Sequence, residues 1–195
     1  MQLGEIAQIK TGLVLSRKKA EIEYDVKATY KLLSLKNISE DGLIVNDSFD
    51  DFDSDDYLDD HYFTEEGDVL MRLSQPYTAV YIGKDHAGLL VPSYFAIIKV
   101  NETMVLSQYV AWYLNTMNVK KELERSQAGS RIPSTNQHTI RNIPIILSPI
   151  SKQKVLIEFY RLHQKEKMLY KKMIEEKELL FEGVTQQILG GRNNG

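Results

Sequence analysis

Two short polar stretches hold the side chains best suited to chemistry, Arg72-Leu73-Ser74-Gln75-Pro76-Tyr77 and Gly129-Ser130-Arg131-Ile132-Pro133-Ser134. Arginine offers a fork of donors, glutamine a donor and an acceptor, serine a hydroxyl, and tyrosine a ring with a polar tip. Groups of this kind hydrogen-bond base edges and phosphate oxygens. Arg72, Gln75 and Tyr77 form one candidate group. Ser130 and Arg131 form a second, with Ser134 and Asn136 as neighbours. Arg17, Lys18 and Lys19 form a basic triplet that reads either as a phosphate contact or as a solvated loop. For each named residue the plainer alternative is a solvated loop position.

Catalytic patterns are missing. The sequence contains no GxSxG, no P-loop, no GxGxxG and no HExxH. It also lacks the Asn-Pro-Pro-Tyr type of motif used by amino-methyltransferases. Asp68 precedes a strand-like run, but no Glu-x-Lys follows on that strand, so the nuclease pattern fails. With no cysteine and four scattered histidines, thiolate and clustered-histidine metal sites are excluded. The expectation is a non-catalytic chain with no metal and no cofactor of its own. The start, Met1-Gln2-Leu3-Gly4-Glu5, lacks a basic region and an apolar core, so no signal peptide is expected. No apolar run approaches a membrane span. The expected address is cytoplasmic, with no membrane contact.

Net charge is −3, which by itself argues against a nucleic-acid binder. Its distribution matters more. Residues 47–60 hold eight aspartates and no basic residue, and without them the chain would carry +5. This acidic run reads as a solvated loop, or as a loop that contacts a partner or repels misplaced DNA.

The elements that must position these residues are short strands separated by turns. Leu3 to Gly12 reads as a helical turn leading into a strand. Tyr30 to Ile38 reads as a strand, Asp41-Gly42 as a hairpin-type turn, and Leu43 to Val45 as the return. Glu66-Gly67-Asp68 turns into a strand through Arg72, and further strands cover Tyr77 to Ile82, Leu89 to Val91 and Ser93 to Val100. Leu106 to Glu124 changes to a helical period, with Trp112 and its tyrosine neighbours read as core. Ser134 or Thr135 is placed to cap a short helix over Asn136 to Arg141. An extended segment, Asn142 to Pro149, follows. The fold class expected is α+β. A mostly antiparallel, curved β domain with a few helices covers residues 1–150, and one long coiled-coil helix covers 151–190 before a frayed tail at 191–195.

That last helix lacks proline and is rich in Lys, Glu, Gln, Leu and Met, all good helix formers. Val155, Phe159, Leu162, Leu169, Met173 and Leu180 recur at alternating steps of three and four, with Glu166 and Glu176 in two intervening slots. This is a heptad seam with defects. It reads as a dimerisation arm or as an amphipathic helix lying on its own domain.

The order of these motifs resembles a target recognition domain from the specificity (S) subunits of type I restriction-modification enzymes. The entry is Leu3-Gly4-Glu5-Ile6-Ala7…Gly12, then Leu35…Asn37-Ile38…Gly42-Leu43-Ile44 and Gly67-Asp68-Val69-Leu70. The exit runs from Ala128-Gly129-Ser130 through Ile143-Pro144-Ile145…Ser148-Pro149-Ile150…Gln153…Ile157. Each motif is weak alone, and their order over nearly the whole chain carries the likeness. The resemblance implies that a complete subunit has two such domains joined by two antiparallel helices. Each domain reads half of a bipartite DNA target, and the helices dock methyltransferase (M) subunits. S-adenosylmethionine is then expected on the M subunits, and restriction (R) subunits are possible further partners. With one domain and one helix, this chain resembles a half subunit, expected to pair with itself as an antiparallel homodimer on double-stranded DNA. The alternative is a scaffold or inhibitory fragment that binds M or S subunits through its helix without reading DNA.

Overall fold

Alternation of apolar and polar residues, broken by glycine turns, builds the head of the molecule. The computed structural model describes residues 1–45, 48–126 and 134–190. The chain divides into two units, Met1–Lys154 and Val155–Gly195. It is α+β, with antiparallel sheets, a few short helices and a long C-terminal helix.

The main sheet has four strands: β1 (Ala7–Thr11), β4 (Val69–Arg72), β5 (Ala79–Tyr81) and β6 (Phe95–Val100). Their order is β1-β6-β4-β5, and every pairing is antiparallel. Side chains alternate between the faces of a strand. Leu70, Val80, Phe95 and Ile97 point to one face and form a core with Leu33, Ile38, Ile82, Leu89 and Val91. Helix α1 (Ser107–Leu114) packs against β4 and β5. With both faces covered, β4 and β6 read as apolar runs (VLM and FAII) rather than as alternating strands.

One glycine is required by a close approach. A Cβ on Gly12 would collide with the carbonyl oxygen of Val91, because the chain passes directly over residues 91–92. Leu13 N–H donates to the Val91 carbonyl (2.8 Å), and Ser93 N–H to the Leu13 carbonyl (2.7 Å). The end of β1 is thereby held against the strand-to-strand crossing.

A second, two-stranded sheet pairs β2 (Ala28–Leu32) with β3 (Asp50–Ser54). This corrects two expectations. The strand anticipated at 30–38 ends at Leu32, and Leu35–Asn37 forms a 3-10 turn closed by a Ser34–Asn37 capping box. The middle of the acidic run, Asp50–Ser54, is also not a loop. Phe52 and Ser54 point inward and Asp51 and Asp53 outward, which is strand alternation. The outward carboxylates meet β2 directly across the pair. Lys31 lies 2.8 Å from Asp51, and the Thr29 hydroxyl donates to Asp53 at 2.7 Å. The expected return strand at 43–45 reduces to one bridge, Ile38 to Ile44.

The helix expected over 106–124 is two helices, α1 and α2 (Met117–Ser126). Asn115 accounts for the break. Its side-chain amide pairs with both backbone groups of Ala79, accepting from N–H at 3.0 Å and donating to C=O at 2.7 Å. It thus takes the place of a neighbouring strand on the open edge of β5. Tyr109 is buried, whereas Trp112, expected in the core, is only half-buried. The short helix α3 spans Gln137–Arg141 and is capped by Asn136 rather than by Ser134 or Thr135.

The long helix α4 spans Ile150–Gly190, 41 residues. At 1.5 Å per residue it is about 60 Å long. Its first turn belongs to the first unit. Gln153 is fully buried there. Its Oε1 accepts from Leu106 N–H (2.9 Å), and its Nε2 donates to the carbonyls of Ser148 (2.7 Å) and Met104 (3.4 Å). From Val155 to Gly190 no residue is buried. No helix among the described residues is long and apolar enough to cross a membrane.

Gln153→Ala is expected to destabilise the chain by about 1–3 kcal/mol, because it strands backbone groups that lack another partner. The measurement is a urea midpoint at unchanged slope. Exposed Lys154→Ala, the control, should stay within about 0.5 kcal/mol.

Candidate nucleic-acid interface

The first loop group lies beside Ser134 and Asn136, the described neighbours of the second. β4 ends at Arg72, and residues 74–77 make a tight turn with Tyr77 N–H donating to the Ser74 carbonyl at 2.9 Å. Ser74 bridges Ser134, and Thr135 N–H donates to the Leu73 carbonyl at 2.6 Å. The chain leading into α3 is thus clamped to the end of β4. Gln75, Ser134 and Asn136 are exposed there, and Arg72 is half-buried. The Arg72 Nε is enclosed and has no hydrogen-bond partner among the described residues. The Asn136 Oδ1 accepts from Thr139 N–H at 2.9 Å as the α3 cap, which fixes the side chain at the helix start. Ser130 and Arg131 lie outside the described residues.

Tyr77 is a correction. It is fully buried, and its hydroxyl is enclosed without a hydrogen-bond partner among the described residues. Its backbone sits at φ +53°, the left-handed region that side chains rarely adopt. That conformation helps turn the ring inward, and the residue presents no surface to a ligand.

The basic triplet lies elsewhere in the head. Arg17 closes a 3-10 turn, Leu15–Arg17. Arg17 and Lys19 are exposed and their side chains carry no hydrogen bond or ion pair among the described residues. Lys18 is committed, with its ammonium 2.7 Å from Asp56. That hydrogen bond raises the Lys18 ammonium above the ordinary lysine value and lowers the Asp56 carboxylate. Beside the triplet is a cleft of about 480 Å³ lined by Lys10, Thr11, Arg17, Lys18, His61 and Gln137 among others. Residue-type reasoning missed Lys10, His61 and Gln137. They are far apart in sequence and no spacing motif connects them.

Asp68 and part of the acidic run are paired within the head. Among the described residues Asp68 is the one buried charged side chain, 3% exposed. It accepts from Glu65 N–H at 2.8 Å and lies 3.2 Å from the Lys99 ammonium. Burial pushes its carboxyl up, and these two partners pull it back. In the acidic segment Asp50 pairs with Lys36 at 2.6 Å, and Asp51 and Asp56 pair with Lys31 and Lys18.

In the second unit, Val155, Phe159, Leu162, Leu169, Met173 and Leu180 are 45–74% exposed. Tyr170, Ile174, Phe181, Val184 and Ile188 are also exposed and broaden the same stripe at 100° per residue.

No protein-family model and no curated protein sequence matches the chain. Solved structures do. It is similar to the HsdS subunit from Thermoanaerobacter tengcongensis at TM-score 0.62 and 17% identity, covering 97% of this chain and 46% of that one. The chain has the fold of one half of a type I specificity subunit. A chain solved in work on complex assembly and conformational transition of the type I restriction-modification system matches at TM-score 0.60 and 18% identity, over 97% of this chain and 46% of that one. The type I S subunit from M. genitalium matches at TM-score 0.53 and 12% identity, over 94% of this chain and 43% of that one. The chain therefore spans less than half the length of these specificity-subunit structures. The match includes the long helix, since 97% coverage cannot be reached without it.

Substitutions at Tyr77 test its placement. Tyr77→Phe removes a buried hydroxyl with no hydrogen-bond partner among the described residues and is expected to leave the urea midpoint unchanged or higher. Tyr77→Ala is expected to cost about 3–5 kcal/mol as a core cavity. Gln75→Ala should change stability by less than about 0.5 kcal/mol.

Proposed function

We propose that the chain is a DNA sequence-recognition module of a type I restriction-modification complex. It reads one half of a bipartite target with its head and docks methyltransferase subunits. It pairs with a second copy through α4 as an antiparallel homodimer. The observation that carries this reading is the combination of a specificity-subunit fold over nearly the whole chain with a 41-residue helix whose apolar stripe is exposed. An isolated amphipathic helix draws little stability from propensity and depends on packing its apolar face. A second copy supplies a matching face, and two-fold pairing needs no further component.

On this reading Arg72, Gln75, Ser134 and Asn136, gathered at the end of β4, are the base-reading candidates. Arg17 and Lys19 are phosphate contacts. The chain contributes no catalytic group. Methyl transfer belongs to the M subunits, which carry S-adenosylmethionine, and cleavage belongs to R subunits where they are present. The alternative is a scaffold or inhibitory fragment whose aspartates imitate phosphates. It is disfavoured because Asp50, Asp51 and Asp56 face the chain's own lysines rather than solvent alone.

Co-expression with type I methyltransferase subunits, followed by methylation mapping, tests the function. The expected result is a new methylated motif with two identical, inverted half-sites. A stable complex without methylation supports the alternative, and methylation by the chain alone overturns the non-catalytic reading.

The helix is tested separately by Leu162→Asp with Leu169→Asp. Sedimentation should show loss of the dimer while circular dichroism of the head is retained, and a variant that stays dimeric refutes the seam. Alone, the chain is expected to bind duplex DNA in the micromolar range or weaker at physiological salt. Nanomolar sequence-specific binding by the isolated chain counts against a module that acts within a complex.

A further inference from the structure

Some cations of the head are paired within it and others, Lys19 among them, have no side-chain partner among the described residues. Lys18, Lys31 and Lys36 each sit within 2.8 Å of an aspartate, and Lys99 lies 2.8 Å from Glu65. Lys10 and Arg17 are different. Both are exposed, and among the described residues neither side chain has a hydrogen bond or ion pair. Both line the cleft at the end of β1, together with Lys18, and no carboxylate lines it. Asp56 neutralises Lys18, with Asp55 and Asp59 also near it, so the unbalanced cations of the cleft are Lys10 and Arg17.

The remaining polar groups of the cleft are the Thr11 hydroxyl, the Tyr62 hydroxyl, the His61 ring and Gln137. Gln137 donates its amide nitrogen to the Ile9 carbonyl, and Arg141 donates to the same oxygen at 3.1 Å. These two bonds tie α3 to the outer edge of β1, so the cleft wall is built on paired strand and helix rather than on free loop. Lysine and arginine only donate, and hydroxyls can donate. Phosphate oxygens only accept. A guanine edge also accepts from lysine or arginine, so it is the pair of unpartnered cations and a lining without carboxylates that favour a phosphate here.

We propose that this cleft seats a phosphate of the duplex DNA backbone, held by Lys10 and Arg17 with the Thr11 hydroxyl as a further donor. The inference rests on the DNA-reading function proposed above and adds to it a sequence-independent contact remote in sequence from the β4-end loop. The seat supplies affinity and register, and the loop at the end of β4 supplies discrimination.

The test uses the full chain at micromolar concentration and low salt, with a fluorescein-labelled duplex of mixed sequence followed by anisotropy across a sodium chloride series. Lys10→Ala and Arg17→Ala should each reduce the slope of log K against log salt by about one, and the double variant by about two. Lys31→Ala, whose ammonium is already paired with Asp51, should leave the slope unchanged. Thermal unfolding of the wild type with and without inorganic phosphate distinguishes a backbone seat from a site for the free ion. Stabilisation of the wild type by phosphate, with unchanged DNA slopes in the variants, overturns the DNA seat. Wild-type slopes in both single variants overturn it too, as does a wild type that does not bind duplex at all. Methylation mapping does not depend on these slopes, so the seat and the overall function can fail separately.

Discussion

The buried amide of Gln153 is the constraint that makes the first turn of α4 part of the head. Residues 104–106 and residue 148 leave a backbone N–H and two carbonyls that no strand or helix satisfies, and one glutamine side chain bonds all three. Such groups are expensive to leave unpaired inside a protein. Satisfying them requires the first helical turn of α4 to be present, because the Gln153 backbone is part of that turn. The head is therefore incomplete without the start of the helix. Beyond Lys154 the situation reverses. No residue of the helix is buried, and its apolar stripe has only itself. Head and stripe are stabilised by different means, one by an internal core and the other, on the reading proposed here, by a second copy.

What the sequence disclosed and what it hid divide along the range of the interactions. The helix α4 was legible because its apolar period repeats over many turns and needs no tertiary information. The strands from β4 to β6 were legible as apolar runs, and the turns at Gly42, Gly67 and Gly88 all have positive φ, as their glycines suggested. β3 was missed because composition outweighed pattern. Aspartate disfavours strands, and the lysine and threonine of β2 opposite, with Lys36 beside Asp50, make the acidic strand tolerable. The alternation of Asp51 and Asp53 with Phe52 and Ser54 was the available signal. The helix break at Asn115 depends on Ala79, a contact that no local window contains.

The candidate interface shows the same division. Adjacency in a loop put Arg72, Gln75 and Tyr77 in one group, but a backbone turned to φ +53° sends Tyr77 into the core. Conversely, Lys10, Arg17, His61 and Gln137 share a cleft because β1, a 3-10 turn and α3 converge. Charge follows suit. The acidic run looked like a free negative loop, yet three of its carboxylates face lysines, so its contribution to the outer field is smaller than the sequence total implies. The unpaired cations matter correspondingly more than a net charge of −3 suggests.

The two glutamates in the seam bear on what a paired helix would have to do. A seam of uninterrupted apolar residues would allow neighbouring registers of similar energy, one heptad apart. Polar residues in seam positions lower stability and raise register specificity. For most dimers register is a detail. For a dimer that holds two DNA-reading heads it sets their separation. A slip of one heptad moves the helices by about 10 Å along their axes, or about three base pairs at about 3.4 Å each. Glu166 and Glu176 would then be a structural requirement rather than defects, because a stronger but sliding seam would join the two half-sites at more than one distance.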